Sequence, residues 1–196
     1  MDELIRTANL AIRLMRDELA DYETMARWLS DPRVLEFYDG RDHPLSLADA
    51  IEKYSPRILA VDGVTPCLLI LPDAPVGYMQ YYPVNDDSKA AYGLDANQDA
   101  TSLYAFDQFI GEPGRWNQGM GTRAVRLLVE YLFRHKKARK IVIDPQARNP
   151  RAIRCYEKCG FRKVKLLPEN ELHEGKMEDC WLMEMDNPNH RSEFQP

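Results

Sequence analysis

Trp116-Asn117-Gln118-Gly119-Met120-Gly121-Thr122 and, beginning 27 residues after Thr122, Asn149-Pro150-Arg151-Ala152-Ile153-Arg154-Cys155-Tyr156-Glu157-Lys158-Cys159-Gly160-Phe161 are the two stretches that decide the fold. Gly119 and Gly121 precede Val125, Leu128, Val129, Leu132 and Phe133, apolar positions at helical spacing, so they open an amphipathic helix. The N–H groups of a helix's first turn have no partner within it, and its positive dipole end lies there, so this start fits a pyrophosphate. Glycine also serves ordinary tight turns, and the two glycines alone are a weak signal. A dinucleotide fingerprint fails because its third glycine is missing and no βαβ series follows. No Gly-Lys-Ser/Thr run supplies a Walker loop. What remains is an order: the glycine-opened helix, then Lys140-Ile141-Val142-Ile143-Asp144 as a short buried strand, then a helix from Asn149 that carries Tyr156.

At 196 residues the chain suits one domain with a real core. Residues 1–186 are assigned to that domain and 187–196 to a polar tail without periodicity. With 31 acidic against 26 basic residues the net charge is −5, which disfavours nucleic acid as a partner and suits a cationic ligand. Four cysteines make no disulfide framework, and Cys155 and Cys159, one helical turn apart, lack a neighbouring pair to complete a zinc site. His43, His135, His173 and His190 show no metal spacing either, so no metal is expected. Met1-Asp2-Glu3-Leu4 lacks a signal-peptide pattern, and the apolar run at 67–71 is too short to span a membrane. A cytoplasmic chain is expected, as a monomer rather than a dimer.

Leu10, Ile12 and Leu14 alternate as an opening strand, and Leu19, Tyr22, Met25, Ala26 and Leu29 follow at helical spacing until Pro32 blocks them. Ser46 and Asp49 form a capping box for a helix through Leu47, Ile51, Tyr54 and Ile58. Residues 66–70 and 76–84 flank Pro72-Asp73-Ala74-Pro75 as a hairpin, 103–110 is the central strand, and 161–166 and 179–185 are the last two strands. Residues 85–102 read as a loop over the hairpin with at most a helical turn. The sum is an α/β fold, a mixed sheet of six or seven strands with helices on both faces.

The order strand, G-x-G helix, strand, N-x-x-A-x-x-x-Y-x-K-x-G-F resembles the acetyl-CoA-binding core of the GCN5-related N-acetyltransferase superfamily. Phe106-Asp107-Gln108-Phe109-Ile110-Gly111-Glu112-Pro113, Asp144-Pro145, residues 149–161 and Leu167-Pro168-Glu169-Asn170-Glu171-Leu172-His173-Glu174-Gly175-Lys176 resemble the aminoglycoside 6′-N-acetyltransferases within it. The likeness is greatest to the acetyltransferase half of the bifunctional acetyltransferase–phosphotransferase resistance enzyme. It implies a sheet with a splayed central strand pair. It also implies an enzyme that moves acetyl from acetyl-CoA, its cosubstrate, directly to the 6′-amine of an aminoglycoside, conferring resistance.

On that resemblance the amides from Gln118 through Gly119, Met120 and Gly121 to Thr122 cradle the pyrophosphate, and Asn149 hydrogen-bonds the pantetheine arm. The strand after Asp107 pairs with pantetheine amides, and its N–H near Phe109 polarises the thioester carbonyl. The superfamily usually places Gln or Arg three residues before the first glycine; Trp116 stands here, with Arg115 as the candidate substitute. Asp107 interrupts the otherwise apolar Tyr104-Ala105-Phe106-Asp107-Gln108-Phe109-Ile110, where a carboxylate is costly to bury. Either alternation sends it to solvent, or it matches the family's essential aspartate, which holds the ammonium and takes its proton directly or through water. Tyr156 is either an aromatic core residue or the donor to the departing thiolate.

Aminoglycosides carry several ammonium and hydroxyl groups, so their site should offer carboxylates and polar aromatics. Tyr38, Asp39, Tyr82, Asp144, Glu178 and Asp179 are the candidates beside Asp107. No acetyl-enzyme is needed, so Cys155 is expected to be dispensable. The competing readings are an acetyltransferase for another amine, such as a polyamine or a protein N-terminus, and a cofactor-sensing module without catalysis.

Overall fold

The computed structural model describes residues 2–94 and 102–189. Its strands are β1 (Glu3–Arg6), β2 (Ala11–Leu14), β3 (Thr65–Ile70), β4 (Pro75–Pro83), β5 (Leu103–Ile110), β6 (Lys140–Ile143), β7 (Arg162–His173) and β8 (Lys176–Asp186). They form one mixed sheet in the order β1-β2-β3-β4-β5-β6-β8-β7. The helices are α1 (Leu19–Trp28), α2 (Pro32–Leu35), α3 (Leu47–Ile58), α4 (Asp86–Tyr92), α5 (Met120–Arg134) and α6 (Pro150–Cys159).

Eight strands replace the six or seven expected. The additional one, β1, is a four-residue edge strand with only Leu4 and Ile5 partly buried, too short for alternation to register. Pro32, expected only to stop a helix, also opens α2, because its fixed φ suits a first helical position and the Asp31 carboxylate accepts from the Arg33 N–H. The Ser46–Asp49 capping box is present at the start of α3. Asn85 caps α4 inside the stretch read as a loop. Residues 95–101 of that stretch, and 190–196 of the tail, lie outside the described residues.

Strand alternation divides the core between the two faces of the sheet. Leu128, Leu132 and Ile153 of α5 and α6 pack with Ile12, Met79, Phe106 and Ile141 on one face. Met25, Trp28, Leu29 and Tyr54 of α1, α3 and their connection pack with Leu68, Tyr78 and Phe109 on the other.

The central pair positions the site. β5 pairs in parallel with β6 at Leu103↔Lys140, Tyr104↔Ile141 and Ala105↔Val142, then runs on to Ile110 while β6 ends at Ile143. Pro145, with no N–H to give, stands two residues past Ile143. From Phe106 onward the β6 side of β5 is therefore an open strand edge.

Candidate active site

The gap opens into a cavity of about 660 Å³ that reaches both faces of the sheet. Its lining includes Tyr38, Asp39, Tyr82, Asp107, Phe109, Gly119, Met120, Gly121, Thr122, Asp144, Asn149 and Tyr156. It does not include Gln118, Glu178 or Asp179.

One half of the cavity is built for an anion and an extended arm. Gly119 is the N-cap of α5 at φ 73°, with no side chain capping the helix. The first intrahelical acceptor is used by Arg123, whose N–H reaches the Gly119 carbonyl at 3.1 Å, so the helix offers nothing to the N–H groups of Met120, Gly121 and Thr122. The Gln118 side chain is exposed and donates to the Gly114 carbonyl at 2.7 Å, and Gln118 is not among the residues lining the cavity. Arg115, Arg151, Arg154 and Lys158 also border the cavity. Trp116 holds no anion. Its Nε1 donates to the Ile110 carbonyl at 2.7 Å, and the Arg151 guanidinium lies 4.4 Å from the ring centre. Asn149 is the N-cap of α6, and its Oδ1 accepts from the Ala152 N–H at 3.0 Å, which leaves the amide N–H₂ for a ligand.

The gap-facing amides differ from expectation. The Gly111 N–H donates to the Val76 carbonyl and the Val84 N–H to the Leu103 carbonyl, and the β4–β5 register is unbroken between them. Alternation from these two bonds turns the backbone polar groups of Ala105, Asp107 and Phe109 towards β4, and those of Gln108 and Ile110 into the gap. The N–H of Phe109 is thus committed to β4, and the backbone groups that face an arm in the gap belong to Gln108 and Ile110, the Ile110 carbonyl already accepting from Trp116 Nε1. Gln108 Oε1 is buried with no hydrogen-bond partner among the described residues, an acceptor suited to an amide N–H on that arm. A diphosphate-bearing, amide-containing cosubstrate fits this half.

The other half is acidic and aromatic. Asp107 lies opposite Gln80, whose Nε2 donates to its Oδ2 at 2.6 Å. Burial raises the Asp107 pKa, opposed by hydrogen bonds from Gln80 and Tyr82 and by the Arg57 charge, while Glu171 raises it further. Asp144, just past β6, accepts from Asn170 Nδ2 at 3.0 Å; burial, then the Asp107 charge, push its pKa up to about 6. The Tyr38 ring meets Phe109 edge-on at 4.6 Å, and burial drives its hydroxyl pKa well up. Asp39 is already paired with Lys53. Tyr156, 5% exposed, packs edge-on against Phe106 at 5.9 Å, and burial drives its phenol well above the ordinary range, so it stays a donor.

Glu178 and Asp179 do not reach the cavity. Glu178 pairs with Arg148 at 3.4 Å, and Asp179 accepts from the Glu169 N–H at 3.0 Å. Beside them β7 bulges: Leu167 faces Cys180 and Glu171 faces Glu178, so four steps on β7 span two on β8. That displacement places Asn170 and Glu171 in the lining instead. Pro168 inside the run was the available signal for a broken ladder. Gln80, missed as well, is a polar residue in the apolar run Tyr78-Met79-Gln80-Tyr81, the same signal that marked Asp107.

Cys155 lies at 3.4 Å from Thr122 Oγ1, and hydrogen bonds from Cys159 and Thr122 lower its thiol pKa. His173 is a structural residue, buried with Nε2 3.0 Å from the Glu36 carbonyl. Among the described residues no group of three or more His, Cys, Asp or Glu side chains is placed to hold a metal. No helix among them is long and apolar enough to cross a membrane.

A sheet parted beside an uncapped helix start is the frame of an acetyltransferase: the chain belongs to the GNAT acetyltransferases, with residues 17–168 matching the family described as Acetyltransferase (GNAT) domain. It is similar to aminoglycoside N(6′)-acetyltransferase type 1 of Klebsiella pneumoniae, 34% identical over 155 residues that cover 79% of this chain and 75% of that protein. The solved structure of AAC(6′)-Ib in complex with ribostamycin and coenzyme A is similar at TM-score 0.73 and 30% identity, over 95% of this chain and 99% of that one. Spermidine N-acetyltransferase from Vibrio cholerae, at TM-score 0.73 but 16% identity over 92% and 96%, shares the fold alone.

Proposed function

We propose that this chain transfers the acetyl group of acetyl-CoA to the 6′-amine of aminoglycoside antibiotics and so confers resistance to them. Relatives named for that activity, and solved complexes holding ribostamycin or kanamycin with coenzyme A, support the reading. The observation that carries it is a half-buried carboxylate, Asp107, lining the same cavity as the uncapped start of α5. The catalytic domain is residues 1–186, acting as a cytoplasmic monomer.

The amides of Met120, Gly121 and Thr122 hold the diphosphate, and the gap-facing groups of Gln108 and Ile110 align the arm as an added strand would. Asp107 binds the substrate ammonium and accepts its proton, freeing the nitrogen lone pair. The N–C bond forms and the C–S bond breaks; the Tyr156 hydroxyl gives its proton to the departing sulfur and is reprotonated by the second proton that the nitrogen loses on becoming an amide, while Asp107 passes the first to solvent. Asp144 and Glu171 receive other ammonium groups of the acceptor. No group on the protein carries the acetyl, so Cys155 has no covalent part.

The test is thiol release with kanamycin, spermidine and a peptide amine as acceptors, followed by NMR of the product. Acetylation of kanamycin at the 6′-nitrogen is expected. Preferred turnover of spermidine or the peptide, or acetyl on a different nitrogen, refutes the reading.

A further inference from the structure

Gln80 connects α3 to Asp107 through an amide whose orientation chemistry dictates. Its Oε1 lies 2.8 Å from both Arg57 Nη1 and the Tyr78 hydroxyl, and its Nε2 lies 2.6 Å from Asp107 Oδ2. The Tyr78 hydroxyl both donates and accepts, so it tolerates either orientation of the amide; Arg57 only donates, and an ionised carboxylate only accepts. Arg57 therefore allows one orientation, the one that turns N–H towards Asp107. The guanidinium is itself held, 5.4 Å from the centre of the Tyr54 ring and with Nε 3.5 Å from Asp62.

We infer that Arg57 is a positioning residue for acetyl transfer: it locks the Gln80 amide onto Asp107 and, one side chain away, favours the anionic form of that half-buried carboxylate. The inference rests on Asp107 as the proton acceptor. From α3 the Arg57 charge favours the anion, and from β4 so do Gln80 and Tyr82. Glu171 of β7 opposes it, as does the mutual repulsion with Asp144 after β6. Tyr38, Tyr92 of α4 and Tyr156 of α6 lie near enough to feel the Asp107 charge but stay neutral phenols. Lys53, the other cation of α3 in the lining, is paired with Asp39. Among the described residues Arg57 is thus the cation that reaches Asp107 through Gln80.

The experiment is kcat/KM with kanamycin as acceptor from about pH 5.5 to about pH 9 for the unaltered chain, Arg57→Met, Arg57→Lys and Asp107→Asn. Arg57→Met is expected to move the acid limb to higher pH, with a loss of about ten-fold at the acid end that shrinks towards the alkaline end, at unchanged KM for acetyl-CoA. Arg57→Lys, which keeps the charge, should restore most of the profile. A loss by one constant factor at every pH, or no loss, overturns the inference if Asp107→Asn is inactive. Full activity of Asp107→Asn overturns the proton-acceptor reading instead. Should Arg57→Met fail to fold, Gln80→Met cuts the same link from its other end, and an unmoved acid limb there is equally fatal.

Discussion

Asp107 and Tyr156 line one cavity from opposite faces of the sheet. Asp107 shares its face with Gln80, directly across the strand pair, whereas Tyr156 packs on Phe106, the neighbouring residue whose side chain points the other way. In a closed sheet the two side chains would be separated by backbone. They border one cavity because β5 and β6 part after Ala105↔Val142, and the acceptor and the cosubstrate can then enter from different sides.

Asp107→Asn keeps the shape and the Gln80 contact but removes the base. The expected result is a fall in kcat of about 10²-fold or more, with coenzyme A affinity retained by calorimetric titration. Unchanged turnover would remove this carboxylate from the mechanism.

Tyr156→Phe keeps the ring against Phe106 and deletes only the hydroxyl. Turnover should drop by about ten-fold or more while both KM values hold. If KM rises and kcat stays level, the hydroxyl serves binding alone.

Asp144 should weaken the free protein at neutral pH. Its folded pKa, pushed up to about 6, lies above its unfolded value, so the stability it allows is complete below the unfolded pKa and is lost as pH rises through about 6. Asp144→Asn is expected to raise stability by on the order of 2 kcal/mol at pH 8 and by only about 0.5 kcal/mol at pH 4. Thermal unfolding at the two pH values decides, and an equal Tm gain at both would point away from charge burial.

Gly121→Ala probes the cradle. An added methyl would stand 3.5 Å from Cys155 Sγ, an ordinary contact, and alanine favours a helix over glycine, so the free chain should be at least as stable. Coenzyme A affinity should nevertheless fall by about ten-fold as the methyl takes space beside the first-turn amides. Full affinity would place the diphosphate elsewhere.

The legible parts of the site were those whose signal is local. Gly119 and Gly121 at a helix start, Asn149 before Pro150, and a lone acid in an apolar strand each break a short-range pattern for a physical reason, and each lines the cavity. The misassigned residues depended on register. Phe109 and Gln108 are neighbours with equal claims until two hydrogen bonds to β4 settle which amide faces the gap. Glu178 and Asp179 have the right chemistry, but the β7 bulge brings Asn170 and Glu171 to the cavity in their place. Arg57 and Gln80, 23 residues apart, carry no local signal that links them, and only the fold joins them at 2.8 Å.

The sequence by itself determined the longer elements and their order, because helix starts, capping and strand alternation are encoded within a few residues, whereas the short β1, α2 and α4 escaped it. It also determined that a carboxylate and a phenol stand close to the glycine-opened helix in chain order. Only the tertiary structure decided where β5 and β6 separate, which backbone amides face that gap and which cation steadies Asp107. Those depend on the pairing of strands and packing of helices far apart in the chain, and a shift of one residue in register would reverse each of them.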